Sequence, residues 1–271
     1  MPSKSRKTAL VTGATDGIGR QTALELAKNH RFRVLVHGRT EAKAVAACTA
    51  LGLDSVSPVW GDFAVLAQVR GLAEQVLEAA GVLDVLINNA GVFMKERVLT
   101  GDGHETTFQV NHLAPFLLTH GVMAALKAAP VARVVNVSSV AHQRGRVDLK
   151  DLSAEQRFDA FSAYSNSKLM NVYFTHELVR RLSKTAITTS ALHPGVVSTK
   201  LLKFGWGASG ASLAAGAKTS VYCATSPSLA GVTGRYYSDS KETQAAAHAT
   251  DSKLEKALYL ESCRLLALAP L

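Results

Sequence analysis

Tyr164 and Lys168 stand four residues apart in YSNSK, the spacing that puts a phenol and an amine on one face of a helix. A phenol beside an ammonium can exchange a proton with a carbonyl or an alcohol. Upstream lies the glycine-rich turn TGATDGIG at 12–19, and the two features together predict a redox enzyme. Tyr237 and Lys241 repeat the pair in GRYYSDSKET, but that run is short and polar and reads as a strand end followed by a turn. From Phe161 to Leu182 the apolar residues Leu169, Val172, Tyr173, Leu178, Val179 and Leu182 recur at helical spacing. Only the first pair is expected on a rigid face.

The chemistry sets a requirement. A tyrosine has a reference pKa of about 10, so working near pH 7 needs about 3 units, or about 4 kcal/mol, of bias toward the phenolate. One ammonium at about 4 Å and an effective dielectric of about 20 contributes on the order of 4 kcal/mol. Lys168 alone nearly meets the requirement before desolvation is subtracted.

The elements that must position this pair are legible as alternating strands and helices. β-rich runs fall at Thr8 to Thr12, Arg33 to His37, Val56 to Trp60, Val85 to Asn88, Arg133 to Val137, Thr188 to Leu192 and Gly234 to Tyr237. This pattern predicts an α/β fold: a single doubly wound Rossmann-type domain over 1–271, with a parallel seven-stranded sheet and helices on both faces. Pro58 cannot donate a ladder hydrogen bond, which places the third strand at an edge, where the order 3-2-1-4-5-6 also puts it. Gln143 to Asp159 and Lys203 to Gly216 read as irregular, and a mobile lid over substrate is expected around 200–216.

The glycine turn follows the first strand and opens a helix to about His30, the context a dinucleotide site requires. Gly13, Thr15, Asp16, Gly17, Ile18 and Gly19 are its candidate contacts: glycine lets the backbone approach a pyrophosphate, and the helix N-terminus offers free N–H groups to the anion. At the end of the second strand, VHGRT holds no carboxylate for the adenosine ribose hydroxyls, and Arg39 offers a guanidinium to a 2′-phosphate. NADP(H) is therefore favoured, with NAD(H) left open. Asp62, just past the third strand, is expected to accept a hydrogen bond from the adenine amino group, with Phe63 beside it among the cofactor contacts. Asn89, Ala90 and Gly91 close the fourth strand, at the carboxyl ends where ligands bind.

Bulk properties narrow the alternatives. With 271 residues and 47% hydrophobic content the chain can bury a substantial core. No apolar run approaches the ~18 residues of a membrane span, and MPSKSRK leads straight into TALVTG, so a soluble, cytoplasmic protein is expected. The net charge of +9 is scattered in small groups without an aromatic-lined stripe, which argues against nucleic acid. Cys48, Cys223 and Cys263 are odd in number and widely spaced, and the nine histidines show no ligand spacing, so no disulfide framework and no metal site are expected. His142 and His193 flank the motif segments without a carboxylate partner in the sequence and are read as structural.

In the order TGATDGIG, NNAG, Asn111, VVNVSS, YSNSK and HPGVVST, the chain resembles the classical short-chain dehydrogenase/reductases over nearly its whole length. NHL at Asn111, SSVAH at Ser138, the insertion before Tyr164, SKLMN and GRYYSDSK resemble the retinol dehydrogenase-like branch in particular. The resemblance implies Ser139 as the catalytic hydroxyl, Tyr164 as acid/base, Lys168 as its electrostatic partner and Asn111 as anchor of a water leading toward Lys168. It implies that Pro194, Gly195, Val197 and Thr199 hold the carboxamide and pyrophosphate side of the cofactor, alongside Tyr164 and Lys168. It also implies hydride exchange with a small lipophilic carbonyl or alcohol, a retinoid or another, and a homo-oligomer meeting through Asn111 to Lys127 and Tyr164 to Leu182. Two rivals stay open: an NADP(H)-binding regulator or sensor with little turnover and, behind it, nucleotide-sugar chemistry on the same scaffold.

Overall fold

Each β-rich run forms a strand with ends within one residue of expectation, in a computed structural model that describes residues 6–271. The strands are β1 (Thr8–Val11), β2 (Arg33–Gly38), β3 (Val56–Trp60), β4 (Val85–Asn88), β5 (Ala132–Val137), β6 (Ile187–His193), β7 (Arg235–Ser238) and β8 (Lys241–Thr243). They build one sheet in the order β3-β2-β1-β4-β5-β6-β7-β8. Pro58 lies on the edge strand β3, opposite Val36, as its missing N–H requires.

The sheet has eight strands rather than seven. GRYYSDSKET does not stop at a turn: Asp239 and Ser240 take φ of 50° and 56°, the left-handed pair of a tight hairpin, and β8 returns antiparallel to β7. β8 has three residues, Lys-Glu-Thr, all exposed, so it carries no apolar alternation by which a strand could be read.

Among the described residues ten α-helices accompany the strands: α1 (Gly17–Asn29), α2 (Glu41–Leu51), α3 (Leu66–Ala80), α4 (Thr106–Phe108), α5 (Ala114–Gly121), α6 (Met123–Ala128), α7 (Ala160–Arg181), α8 (Lys200–Trp206), α9 (Leu213–Thr225) and α10 (Ser252–Leu265). Successive strand residues point to opposite faces, so the sheet carries two cores. Leu10, Leu35, Leu86 and Val134 bury against Leu72, Phe116 and Leu169 on one face, whereas Val11, Val36, Ile87 and Val135 bury against Ala23, Leu26 and Cys223 on the other. The sheet is thereby held rigid between its helices, and the carboxyl ends of its strands are fixed relative to one another.

α10 packs on the helices expected to meet between copies. It lies within the chain across α5 and α7, where Tyr259 packs on Phe116 at 5.0 Å between ring centroids and shares a 2.9 Å hydrogen bond with His120. Glu255, buried, pairs with His176 at 2.6 Å and with Arg180. The irregular stretch near 203–216 is also shorter than expected, because α8 and α9 claim both its ends. What remains is looped over a bridge between Val197 and Ala211. Among the described residues no helix is long and apolar enough to cross a membrane, and no three His, Cys, Asp or Glu side chains are grouped to hold a metal.

Candidate active site

Beyond the carboxyl ends of the strands opens a cavity of about 970 Å³. All cofactor-side candidates (Gly13, Thr15, Asp16, Gly17, Ile18, Gly19, Arg39, Asp62, Phe63, Asn89, Ala90, Gly91, Pro194, Gly195, Val197 and Thr199) line it, as do Ser139, Tyr164 and Lys168. Asn111 does not. Tyr237 is buried on β7 outside the cavity, and its repeat partner Lys241 is exposed on β8.

The glycine turn is shaped by close approach as well as by backbone freedom. Gly13 takes φ of 63°, and a Cβ on it would lie 2.9 Å from the Ala90 Cα. A Cβ on Gly19 would come within 2.4 Å of both the Asn89 amide nitrogen and the Gly13 carbonyl. Asn89 itself is spent on this packing: its Nδ2 donates to the Thr12 carbonyl at 2.7 Å and its backbone N–H to Thr12 Oγ1 at 2.9 Å. NNAG therefore locks β4 to the turn after β1. Beneath the turn, buried His37 accepts the Gly13 N–H at Nδ1 and donates from Nε2 to Gly61 O, so the ends of β1, β2 and β3 are tied through one neutral ring. Burial holds that ring down to about 4. Sequence reasoning missed this role, since a lone histidine in VHGRT carries no signal of what lies above it.

Asp16 caps α1, accepting from Gly17 N at 2.8 Å, and its other oxygen pairs with Lys200 at 2.6 Å; the Lys200 bond, foremost, holds its carboxyl below the usual range. Both partners are exposed, so the pair contributes little to stability. Its effect is local, countering a negative charge at the helix end that would meet a pyrophosphate. Arg39 is exposed on the cavity rim just past β2.

At the other end, Lys168 is fully buried, and Nζ donates to the Val137 carbonyl at 3.1 Å, which leaves the remaining ammonium donors for the cavity. A Cβ on Gly91 would lie 3.3 Å from this nitrogen and from Asn111 Oδ1, so glycine here makes room for both. The nitrogen is 5.6 Å from the Tyr164 ring centroid. Burial pushes Lys168 down to about 8 and Tyr164 up to about 12, the latter offset in part by a hydrogen bond with Ser139. Desolvation is thus a larger opposing effect than the sequence argument allowed, and the ammonium alone does not bring the phenol near neutrality.

The two serines divide. Ser138 Oγ is buried and donates to the Lys168 carbonyl at 2.7 Å, fastening β5 to α7. Ser139, half-buried on the cavity wall, receives the Ala141 N–H at 3.2 Å and lies within reach of Tyr164. Asn111 sits in a π-helical turn, Gln109–Leu113, between α4 and α5. Its Oδ1 accepts Val92 N at 2.7 Å and its Nδ2 donates to Val92 O and Ser167 Oγ at 2.9 Å, so both amide donors are used and Oδ1 keeps one free lone pair. Wide turns of this kind recur at functional sites because they disturb the regular pairing of carbonyls.

Two further residues support the site. His142 is buried, and its Nδ1 meets the Ser139 carbonyl at 2.6 Å while its Nε2 meets Ala246 N at 3.1 Å. A backbone N–H only donates, so Nε2 accepts and Nδ1 carries the proton given to Ser139. Trp206, from α8, packs 5.4 Å from Tyr164, 4.9 Å from Phe93 and 5.5 Å from Phe161, forming an apolar cage around the phenol. Phe204 is not part of it: it is exposed beneath the Lys95 ammonium, 4.6 Å from its ring centroid.

The residues present fit a dinucleotide. A Cβ on Gly17, at φ 57°, would meet only the Thr199 methyl at 3.8 Å, leaving a cradle at the α1 N-terminus. The buried His193 Nδ1 on the cavity wall has no hydrogen-bond partner among the described residues. With the uncommitted donors of Lys168, these groups suit hydroxyls, phosphates and an amide.

Comparisons with known proteins agree. Residues 7–205 match the family model described as short chain dehydrogenase. Human retinol dehydrogenase 12 is 39% identical over 97% of this chain and 87% of its own, and mouse retinol dehydrogenase 14 is 38% identical over 93% and 84%. Among solved structures, an uncharacterised protein from Mycobacterium paratuberculosis superposes with a TM-score of 0.82 at 32% identity, over 100% of this chain and 97% of that one. Salutaridine reductase from Papaver somniferum shares the fold, with a TM-score of 0.69 at 20% identity over 86% of this chain and 99% of its own.

Proposed function

The chain belongs to the short-chain dehydrogenase family, in its retinol dehydrogenase-like branch, and is an oxidoreductase; from that premise we propose that it moves a hydride between NADP(H) and a lipophilic carbonyl or alcohol, with Tyr164 as acid/base. The observation that carries this reading is the meeting of Ser139, Tyr164 and Lys168 on one wall of a cavity whose far end is the glycine turn.

When bound, the nicotinamide supplies or accepts the hydride. Ser139 holds the substrate oxygen and stabilises the charge that grows on it. Tyr164 gives that oxygen a proton in reduction and takes one in oxidation. Lys168 stabilises the phenolate and holds hydroxyls of the cofactor, and Asn111 fixes the Val92 segment beneath them. Phe93, Phe161 and Trp206 keep water from the reacting groups and favour an apolar substrate body. The segment 200–216 serves as the lid, since α8 brings Trp206 over the phenol and Lys200 to Asp16.

The choice of NADP(H) rests on Arg39 and on the lack of a carboxylate at the end of β2. The test is cofactor oxidation across lipophilic aldehydes, ketones and quinones. NADPH is expected to support turnover at least tenfold better than NADH, and Arg39→Ala to raise the KM for NADPH but not for NADH. Equal use of both cofactors would remove NADP(H) preference, and tight NADPH binding with silence across the panel would favour the regulator.

A further inference from the structure

Beyond Tyr164 the cavity reaches the 3₁₀ turn Val140–Arg144, and the charges along its wall are unevenly placed. Its two carboxylates, Asp16 and Asp62, belong to the cofactor side, and Asp16 is already paired with Lys200. Apart from the buried Lys168, the substrate side carries one cationic side chain, Arg144, with Gln143 next to it. Arg144 is exposed, and none of the ion pairs among the described residues includes it. The remainder of that wall is apolar, with Val140, Phe161, Leu202 and Trp206 in it.

The turn that carries Arg144 is held firmly. A Cβ on Gly145 would come within 2.7 Å of the Ser165 carbonyl and 2.8 Å of the Leu169 side chain, so the backbone there lies flat against α7, one turn from Tyr164. Arg146 N adds a 2.6 Å hydrogen bond to Asn166. The guanidinium is therefore an exposed group on a fixed base, at the rim of an apolar wall that ends at the phenol.

A wall of this polarity has a matching ligand: a carbonyl at Tyr164 and Ser139, an apolar body along Phe161 and Trp206, and an anion at the rim. We propose that Arg144 is an anion-recognition residue and that the substrates are amphipathic oxo acids, with an apolar spacer between the carbonyl and a carboxylate. This rests on the oxidoreductase reading above. A guanidinium offers a carboxylate two parallel N–H donors, and the net charge of +9 steers an anionic substrate toward the protein. The carboxylate is a spectator: one hydride and one proton convert C=O to CH–OH, and no other bond changes.

The test compares ω-oxo acids of increasing chain length with their methyl esters and the n-alkanals of equal length, with NADPH and with NADH. The wild-type KM for the best acid is expected about tenfold below that of its ester, the worth of one charge-assisted pair. Arg144→Ala should raise the acid's KM about tenfold more than the ester's, Arg144→Lys should recover part of the loss, and Arg144→Glu should penalise the acid further. In the wild type alone, raising the ionic strength should weaken the acid but not the ester. Equal KM for acid and ester in the wild type, or a parallel change in both in Arg144→Ala, overturns the proposal. Turnover of esters and alkanals without the acids overturns it and leaves the oxidoreductase reading standing. Silence with every compound and both cofactors overturns both.

Discussion

Replacing Lys168 with Met removes a buried ammonium while keeping most of the side chain's length. The ammonium lies 5.6 Å from the Tyr164 ring centroid. A unit charge at that distance in an effective dielectric of about 20 favours the phenolate by about 3 kcal/mol, or about 2 pKa units. Burial raises Tyr164 from 10 to about 12, a push of the same size in the opposite sense. With burial already holding Tyr164 near 12, Lys168→Met removes the buried cation beside it that favours the phenolate. The expected loss in kcat for alcohol oxidation at saturating cofactor is about 100-fold. Steady-state rates in both directions measure it, with cofactor affinity determined separately by fluorescence titration, because Lys168 also faces the cofactor. The pH profile gives a second readout. Since burial lowers Lys168 to about 8, it is charged below that pH and neutral above, so wild-type carbonyl reduction should decline through a limb near pH 8 that is missing in the variant. A loss explained wholly by weaker cofactor binding, with kcat at saturation unchanged, would refute the electrostatic argument.

Gly19→Ala should destabilise the fold by about 3 kcal/mol, from overpacking against Asn89 and the Gly13 carbonyl plus loss of the Asn89 to Thr12 bond, read as a lower urea midpoint; a change below about 1 kcal/mol would contradict the packing account. Burial lowers His37, His112 and His120 from 6.5 to about 4, about 3 and about 4. The unfolded chain takes up these protons first, so the stability they carry is present above pH 6.5 and is lost as pH falls toward 4, at up to about 1.4 kcal/mol per pH unit for each histidine. These three rings should add up to three protons to the slope read from urea midpoints between pH 7 and 4.5, with His104, His142 and His193 shifted by burial in the same direction; a slope below one would count against three neutral buried rings. Light scattering should report one chain per particle, because α10 occupies the helix faces expected between copies; a stable dimer that α10 residues do not affect would refute this.

How much could be read in the chain depended on how far apart the cooperating residues stand. The strands were legible because their apolar runs are local, and so was the crevice, since a parallel sheet brings the ends of β1, β4, β5 and β6 together whatever the loops do. Tyr164 and Lys168 share one helix, and their spacing alone places them side by side. Trp206 and Phe204 stand two residues apart, yet α8 turns the first to the phenol and the second to Lys95. β8 is exposed and pairs only because a left-handed turn returns it to β7. The role of His142 rests on a contact with a residue 104 positions away, which no local pattern encodes. The desolvation that shifts Tyr164 and Lys168 is likewise a property of what covers them, not of their own motif.

That distant contact bears on how the protein matures during synthesis. Chains emerge from the ribosome N-terminus first at about 5–20 residues per second. The glycine turn, β5 and the Tyr164 helix are all outside the exit tunnel before Ala246 and the segment that ties His142 and Tyr173 to it have been made. A nascent chain can assemble its nucleotide cradle while the turn carrying Ser139 still lacks its backing. Cofactor capture would therefore come before catalytic competence, and a bound dinucleotide could act as a template on which the last part of the chain closes.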